Sequence, residues 1–361
     1  MANPDFSFDC DVNHFPSLTW NQLNINRGHL SVSAHKVEAA VLPALPEGIT
    51  VERKSLADLP PVLSGIKSGM GAEFDRQFED AAVKLGLEAD IYTVQEGRTD
   101  GGAVHLSLSG GDGIRETLIV ARKESGSRFI FESSGNDGSL AGNRIRILVE
   151  EGASVHVAIV NLLGGDVMHF DSVGAAIGQG AKLELTELQL GGSKVFSGSC
   201  YELSGKSSSF EGRLAYLVDK NRCLDVCYVA RQTGRDSSSS MNVDGVVSDQ
   251  GRKTWRGTID FVKGAAGAKG DEQENVLLMS PAAVNKSLPV ILCDEEDVDG
   301  RHGSSIGRIG ADILFYMQSR GIDELSAKKI MVKSKVAAAS RFIQDADVVD
   351  RINRHLEGAF A

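Results

Sequence analysis

Proline and aromatic side chains are scarce in this chain, eight prolines and 6 % aromatics set against forty glycines. Without a collagen period, and without the proline that accompanies glycine in disordered tracts, such glycine points to tight turns between short strands. Cysteine is sparse too. Cys10, Cys200, Cys223, Cys227 and Cys293 are odd in number and widely scattered. That excludes the framework of a small disulfide-stapled secreted domain, and the five are expected to be reduced thiols. Positive charge is in deficit, with 38 Lys and Arg against 49 Asp and Glu and a formal charge of −11. A nucleic-acid or anionic-membrane surface is therefore not the expected partner. Long apolar runs are missing as well: Asp, Lys or Gly interrupts every hydrophobic segment before the ~18 residues of a spanning helix. The opening Met1-Ala-Asn-Pro-Asp-Phe carries Asp and no apolar run behind it, so no signal peptide is expected. These absences together predict a soluble protein of the cytoplasm.

With 361 residues the chain can hold two or three domains and a sizeable core. Its texture divides it at about residues 95 and 294. Residues 1–95 mix short extended pieces with one predicted helix, Ala72 to Leu87, in which Phe74, Phe78, Ala82 and Leu85 recur at helical spacing. Residues 96–294 read as short alternating strands punctuated by Gly, Ser and Asp, such as Thr117-Leu-Ile-Val-Ala and Arg144-Ile-Arg-Ile-Leu-Val. Residues 295–361 read as a helical unit. A first helix runs from Ala311 to Arg320 and stops at Gly321. A second is capped by Asp323 and carries a stripe of Ala327, Ile330, Met331, Ala338 and Phe342. A third follows Asp347, with Val348, Val349, Ile352 and Leu356 on one side.

Within the strand-rich block a phrase repeats. Glu151-Gly-Ala-Ser-Val-His-Val157 returns as Gln179-Gly-Ala-Lys-Leu-Glu-Leu185, and Ser207-Ser-Ser-Phe-Glu211 is a looser copy. Self-similarity at such a period is the mark of a solenoid, in which Gly sits at corners and alternate side chains point inward. A right-handed parallel β-helix is the expected fold; an antiparallel sandwich or barrel would use the same strand lengths.

The segment from Val298 to Ile322, Val-Asp-Gly-Arg-His302-Gly-Ser-Ser-Ile-Gly-Arg308-Ile-Gly-Ala-Asp-Ile-Leu-Phe315-Tyr316-Met-Gln-Ser-Arg320-Gly-Ile, closely resembles the signature of the SufB/SufD family. Trp255 to Ala265, Gln273 to Ser280 and Leu288 to Cys293 resemble that family's last β-helix turns. The likeness covers about Gly86 to the end. It implies a β-helix flanked by helical ends, a scaffold without catalysis of its own that assembles iron–sulfur clusters, and C-terminal helices that dock a SufC-type ATPase. The partner scaffold would be a SufB-type subunit or a second copy of the chain.

His302 matches a family position at the interface of the two scaffold subunits, where the nascent cluster is built. A neutral imidazole suits iron, so transient metal binding is expected there with no tightly bound cofactor. The plainer alternative is a residue at the start of a helix, its ring bonded to backbone. The SufB-type subunit carries a sulfur-receiving cysteine where this chain has Glu274, and acidic residues where it has Arg301 and Gly303. A carboxylate cannot hold persulfide sulfur, which needs a thiolate. His302-Gly-Ser-Ser is closer to the His-Gly-Ala-Thr of SufD, although SufD-type chains often have a cysteine where Gly300 stands. Cys293, nine residues before His302, is a second candidate at the cluster-assembly interface; a buried cysteine ending a strand is the plainer alternative.

Arg308, Phe315, Tyr316 and Arg320 are assigned to capping and to the ATPase-docking surface, against the alternative that Phe315 and Tyr316 pack on the last β-turn. No Gly-x4-Gly-Lys-Ser/Thr loop occurs, so ATP hydrolysis would come from the partner. Cys223 and Cys227 share a strand face but lack the further ligands of a zinc site, and His105, His156 and His169 read as satisfied ladder residues. A rival function on the same fold is a carbohydrate-active β-helix enzyme that cleaves polysaccharides. A third reading is a purely structural solenoid.

Overall fold

The computed structural model describes residues 6–359 apart from 18–22, 35–36, 39–41, 100, 110–111 and 137. The chain opens with β1 (Phe6–Val12), β2 (Gly28–Ala34), β3 (Val37–Glu38) and β4 (Ile49–Ser55). Helices α1 (Pro61–Ser64) and α2 (Ala72–Leu85) follow. Then come β5 (Glu88–Val94), β6 (Ala103–Ser109), β7 (Asp112–Ala121), β8 (Gly126–Gly135), β9 (Leu140–Val149), β10 (Ser154–Leu163), β11 (Met168–Ile177) and β12 (Lys182–Gln189). The run continues as β13 (Lys194–Leu203), β14 (Ser209–Val218), β15 (Cys223–Gln232), β16 (Ser238–Val247), β17 (Arg252–Phe261), β18 (Ala268–Leu278), β19 (Val284–Cys293) and β20 (Val298–Arg308). Three helices close the chain: α3 (Ala311–Ser319), α4 (Glu324–Ser340) and α5 (Ala346–Ala359).

Even-numbered strands from β6 to β20 form one eight-stranded parallel sheet. Odd-numbered strands from β5 to β19, edged by antiparallel β4 and with the short β3 paired to β7, form the ten-stranded other. Because the chain alternates between them, it winds a parallel β-solenoid of about eight turns. The repeated phrase is the pairing register itself. Val155 pairs with Leu183 and Val157 with Leu185, and in the next turn Leu183 pairs with Phe210. In-register parallel pairing stacks like on like, so inward residues build one apolar column between the sheets.

One corner shows why the repeats carry glycine. Gly152 (φ 67°) and Gly180 (φ 61°) take the left-handed conformation that costs glycine nothing. Each N–H reaches the next turn, Gly152 to Gln179 O and Gly180 to Lys206 O, both at 2.9 Å. Ser207 (φ 56°) and Asp236 (φ 55°) hold the same corner in later turns, where the phrase has blurred.

Both outer faces are covered. On the ten-stranded side α2 and the β1–β2 hairpin pack Phe6, Phe8, Phe74 and Phe78 around Phe170 of β11. On the eight-stranded side α4 and α5 lay Val332, Val336, Ile343, Val348, Ile352 and Leu356 on Val160, Leu188, Leu217 and Val246. Asp323 caps α4 as expected, accepting from Ser326 N at 2.8 Å. The α4 stripe differs from the expected one. Ala327 is buried as predicted, but Ile330 is exposed and Val332 and Val336 take the core positions. Phe342 instead lies half-buried under the guanidinium of Arg213. The β-stack also runs past residue 294, since β20, within the stretch read as helical, is its last strand.

Candidate functional site: the open end of the solenoid

Strands β19 and β20 terminate the two sheets, each pairing with a neighbour on one side only. Beneath them β18 alternates, with Glu272 and Glu274 facing inward and buried. The register partners of those two on β20 are His302 and Ser304. Parallel pairing keeps faces aligned, so His302 stands on the inward side of the last turn, where no further turn covers it, and it is exposed. It lies mid-strand, not at a helix start, because α3 begins only at Ala311.

Cys293, the last residue of β19, pairs with Phe261 of the core column. It is exposed, which replaces the expectation of a buried cysteine, and its thiol donates to Glu295 O at 3.1 Å. With Phe261, Ile291, Glu295, Glu296 and Gly300 it lines a cleft of 690 Å³. Gly300 and His302 are two residues apart on one strand and so share a face. The structure thus brings Cys293 and the strand of His302 to the same end of the rod. Among the described residues no three His, Cys, Asp or Glu side chains converge to hold a metal. The thiol and imidazole are donors of the right softness for an iron–sulfur species, and two such donors are fewer than the four a cluster takes.

A buried polar layer floors this end. Lys253 Nζ pairs with Glu274 and donates to Asn285 Oδ1 at 3.0 Å and Ser287 Oγ at 3.3 Å. Ser304 Oγ donates to Glu274 Oε2 at 3.0 Å, and Trp255 Nε1 to Glu272 Oε1 at 2.6 Å. Burial pushes Glu272 up to about 7, against the pull of the Trp255 bond, and brings Lys253 down to about 8 although Glu274 holds its charge. Glu274 is therefore the counter-charge of a buried lysine, sealed under the last turn. Of this layer only Glu274 stands out in the sequence; Lys253, Trp255 and Glu272 do not. The available signal was polar residues at spacing two, Lys253-x-Trp255 and Glu272-x-Glu274, on strands whose other inward positions are apolar.

The helical candidates lie elsewhere. Phe315 and Tyr316 on α3 are 73 % and 58 % exposed, so they do not pack on the last turn. Arg320 sits 5.3 Å over the Tyr316 ring, and Arg308 is exposed at the end of β20. Cys227 is buried and Cys223 half-buried at its strand start. The three histidines are satisfied: His169 by Asp171 and Ala141 O, His156 by Thr186 Oγ1, His105 beside Asp345.

Comparison with known proteins bears on this architecture directly. The family model described as "SUF system FeS cluster assembly, SufBD core domain" matches residues 107–335, from the early turns of the solenoid into α4. The chain belongs to the SufBD family. That membership agrees with a solenoid flanked by helices. SufBD relatives include the iron–sulfur cluster assembly protein SufD of Escherichia coli, 26 % identical over 70 % of this chain and 58 % of the relative. SufD of Bacillus subtilis is 25 % identical over 60 % of this chain and 50 % of the relative. A chloroplast SufBD-family protein of Arabidopsis thaliana is 25 % identical over 60 % of this chain and 41 % of the relative. The chain thus spans about half the length of these curated relatives. No helix among the described residues is long and apolar enough to cross a membrane.

Proposed function

We propose that this chain is a SufD-like scaffold subunit of cytoplasmic iron–sulfur cluster assembly, without catalysis of its own, acting with a SufB-type subunit or a second copy and with a SufC-type ABC ATPase. The uncovered last turn carries this reading. Every residue of β19 and β20 is partly or fully exposed, whereas the β17 and β18 strands below are largely buried. An eleven-residue unpaired edge is a template for another chain, and natural proteins rarely leave one bare.

A partner scaffold seated there would close the ring of ligands begun by His302 and Cys293, so that iron or a nascent cluster is held transiently as cargo between chains. The exposed Phe315 and Tyr316 on α3 fit the contact for the ATPase, since aromatic side chains are the usual anchors of interfaces. The charge of −11 supports protein partners over nucleic acid or membrane.

Co-expression with a SufC-type ATPase tests the docking half. The wild-type chain is expected to co-purify with it, and Phe315→Asp to lose the partner by at least ~10-fold, the cost of one interface anchor, with its own unfolding midpoint unchanged. Undiminished capture by the variant would remove α3 from the interface, and failure of the wild type to capture the ATPase would contradict the partnership.

A further inference from the structure

We propose that the solenoid interior, in its first turns, holds a small monovalent inorganic anion of halide or hydrosulfide size on Arg115. Arg115 lies on β7 and is 2 % exposed. It shares its strand face with Ile119 and Ala121 of the inner column, so the guanidinium projects inward. Only its Nη2 is engaged, donating to Ser107 O at 2.8 Å, while Nε and Nη1 have no hydrogen-bond partner among the described residues. A buried cation requires a counter-charge or a full set of acceptors.

The carboxylates around it are committed elsewhere. Asp90 is held by Arg53 at 2.6 and 3.3 Å. Glu116, the next residue along, faces outward to Arg144 and Arg146. Asp171, deeper in the column, takes bonds from His169, Asn143 and Gln189. Arg115 itself pairs with no carboxylate among the described residues, and its single positive charge sets the ligand as monovalent.

Three more orphaned polar atoms share this interior. Thr117 Oγ1 is two residues along the same face, Tyr92 Oη is on the neighbouring strand, and Asn143 Oδ1 belongs to the register partner of Arg115. The two free guanidinium nitrogens and the two hydroxyls provide donors suited to an anion. The Phe129 ring, 5.7 Å from that of Tyr92, belongs to the same closely packed column, where only a small ligand fits. Asn143 Oδ1 is the acceptor the guanidinium would use if water or direct pairing satisfied it instead, and that is the competing arrangement.

Crystals of the full chain soaked in sodium bromide and measured at the bromine edge decide between them. An anomalous peak within hydrogen-bonding reach of Arg115 Nε and Nη1, absent in Arg115→Met, is the expected result. Should that variant fail to fold, Thr117→Val is expected to lower the peak roughly twofold to tenfold at sub-saturating bromide, as loss of one donor implies. Anaerobic hydrosulfide should displace the bromide; retention of bromide removes hydrosulfide from the claim. Water alone at Arg115, a direct Arg115–Asn143 bond, or a peak that persists in Arg115→Met overturns the site.

Discussion

Glu272 is a carboxyl kept largely out of water under the last turn, bonded by Trp255 and in register with the exposed His302 of the adjacent strand. Its folded pKa, about 7, lies above the ordinary carboxylate value, so the native state binds its proton more tightly than the unfolded chain does. Its stabilising contribution is complete below about pH 4.5 and is lost as the pH rises to 7. Glu272→Gln should flatten that decline by about 1–3 kcal/mol in urea titrations taken from pH 4.5 to 8; the same slope in wild type and variant would refute the assignment. The Lys253–Glu274 pair behaves differently, since removing one partner strands a buried charge. Lys253→Met should cost about 3–5 kcal/mol, and the double change Lys253→Met with Glu274→Leu should recover most of it. Single and double variants equally destabilised in urea unfolding would show that the pair is not the cause. None of this layer stood out in the sequence as a unit, because burial of Lys and Glu depends on which turn closes over them, and that is set by residues up to thirty-four positions away.

Among the elements, α4 and α5 owe their positions to the sheet beneath them more than to their own pattern. Ile352 of α5 is buried in the cluster that joins both helices to the sheet. Ile352→Ala should cost about 2–5 kcal/mol, read by thermal or urea unfolding, whereas Ile330→Ala on the exposed side of α4 should cost little. The helices themselves were legible, since Asp323 caps one and Gly321 (φ 82°) ends another. The α4 stripe was not, because its sequence, rich in Ala and Lys with apolar residues all round, has no single apolar side, and only the ridge of Val160, Leu188 and Leu217 selects Val332 and Val336 over Ile330. Strand alternation blurred for the same reason. On β10 the outward Ala158 and Val160 are as apolar as the inward Val157 and Ile159, since α4 and α5 cover them.

The whole molecule is a rod dressed on two faces and bare at one end. Its repeat was readable because a solenoid writes its period into the sequence, and the offset between the Gly152 and Gly180 phrases is one turn of the stack. The bare end is less legible, because Gly300, Gly303 and Gly307 give β20 little strand character by themselves and its sequence reads as the start of the helical unit. Strand pairing with β18 overrides that propensity and sets His302 above the buried polar layer. In the proposed assembly a second chain completes the uncovered edge that carries this imidazole and thiol. The most direct test is cluster formation in a complex reconstituted from this chain, a SufB-type subunit and a SufC-type ATPase, followed by iron–sulfur absorbance for wild type and His302→Ala. At least a ~10-fold loss of cluster, with complex assembly intact, is the predicted result, the weight of one metal ligand; an unchanged yield would contradict it.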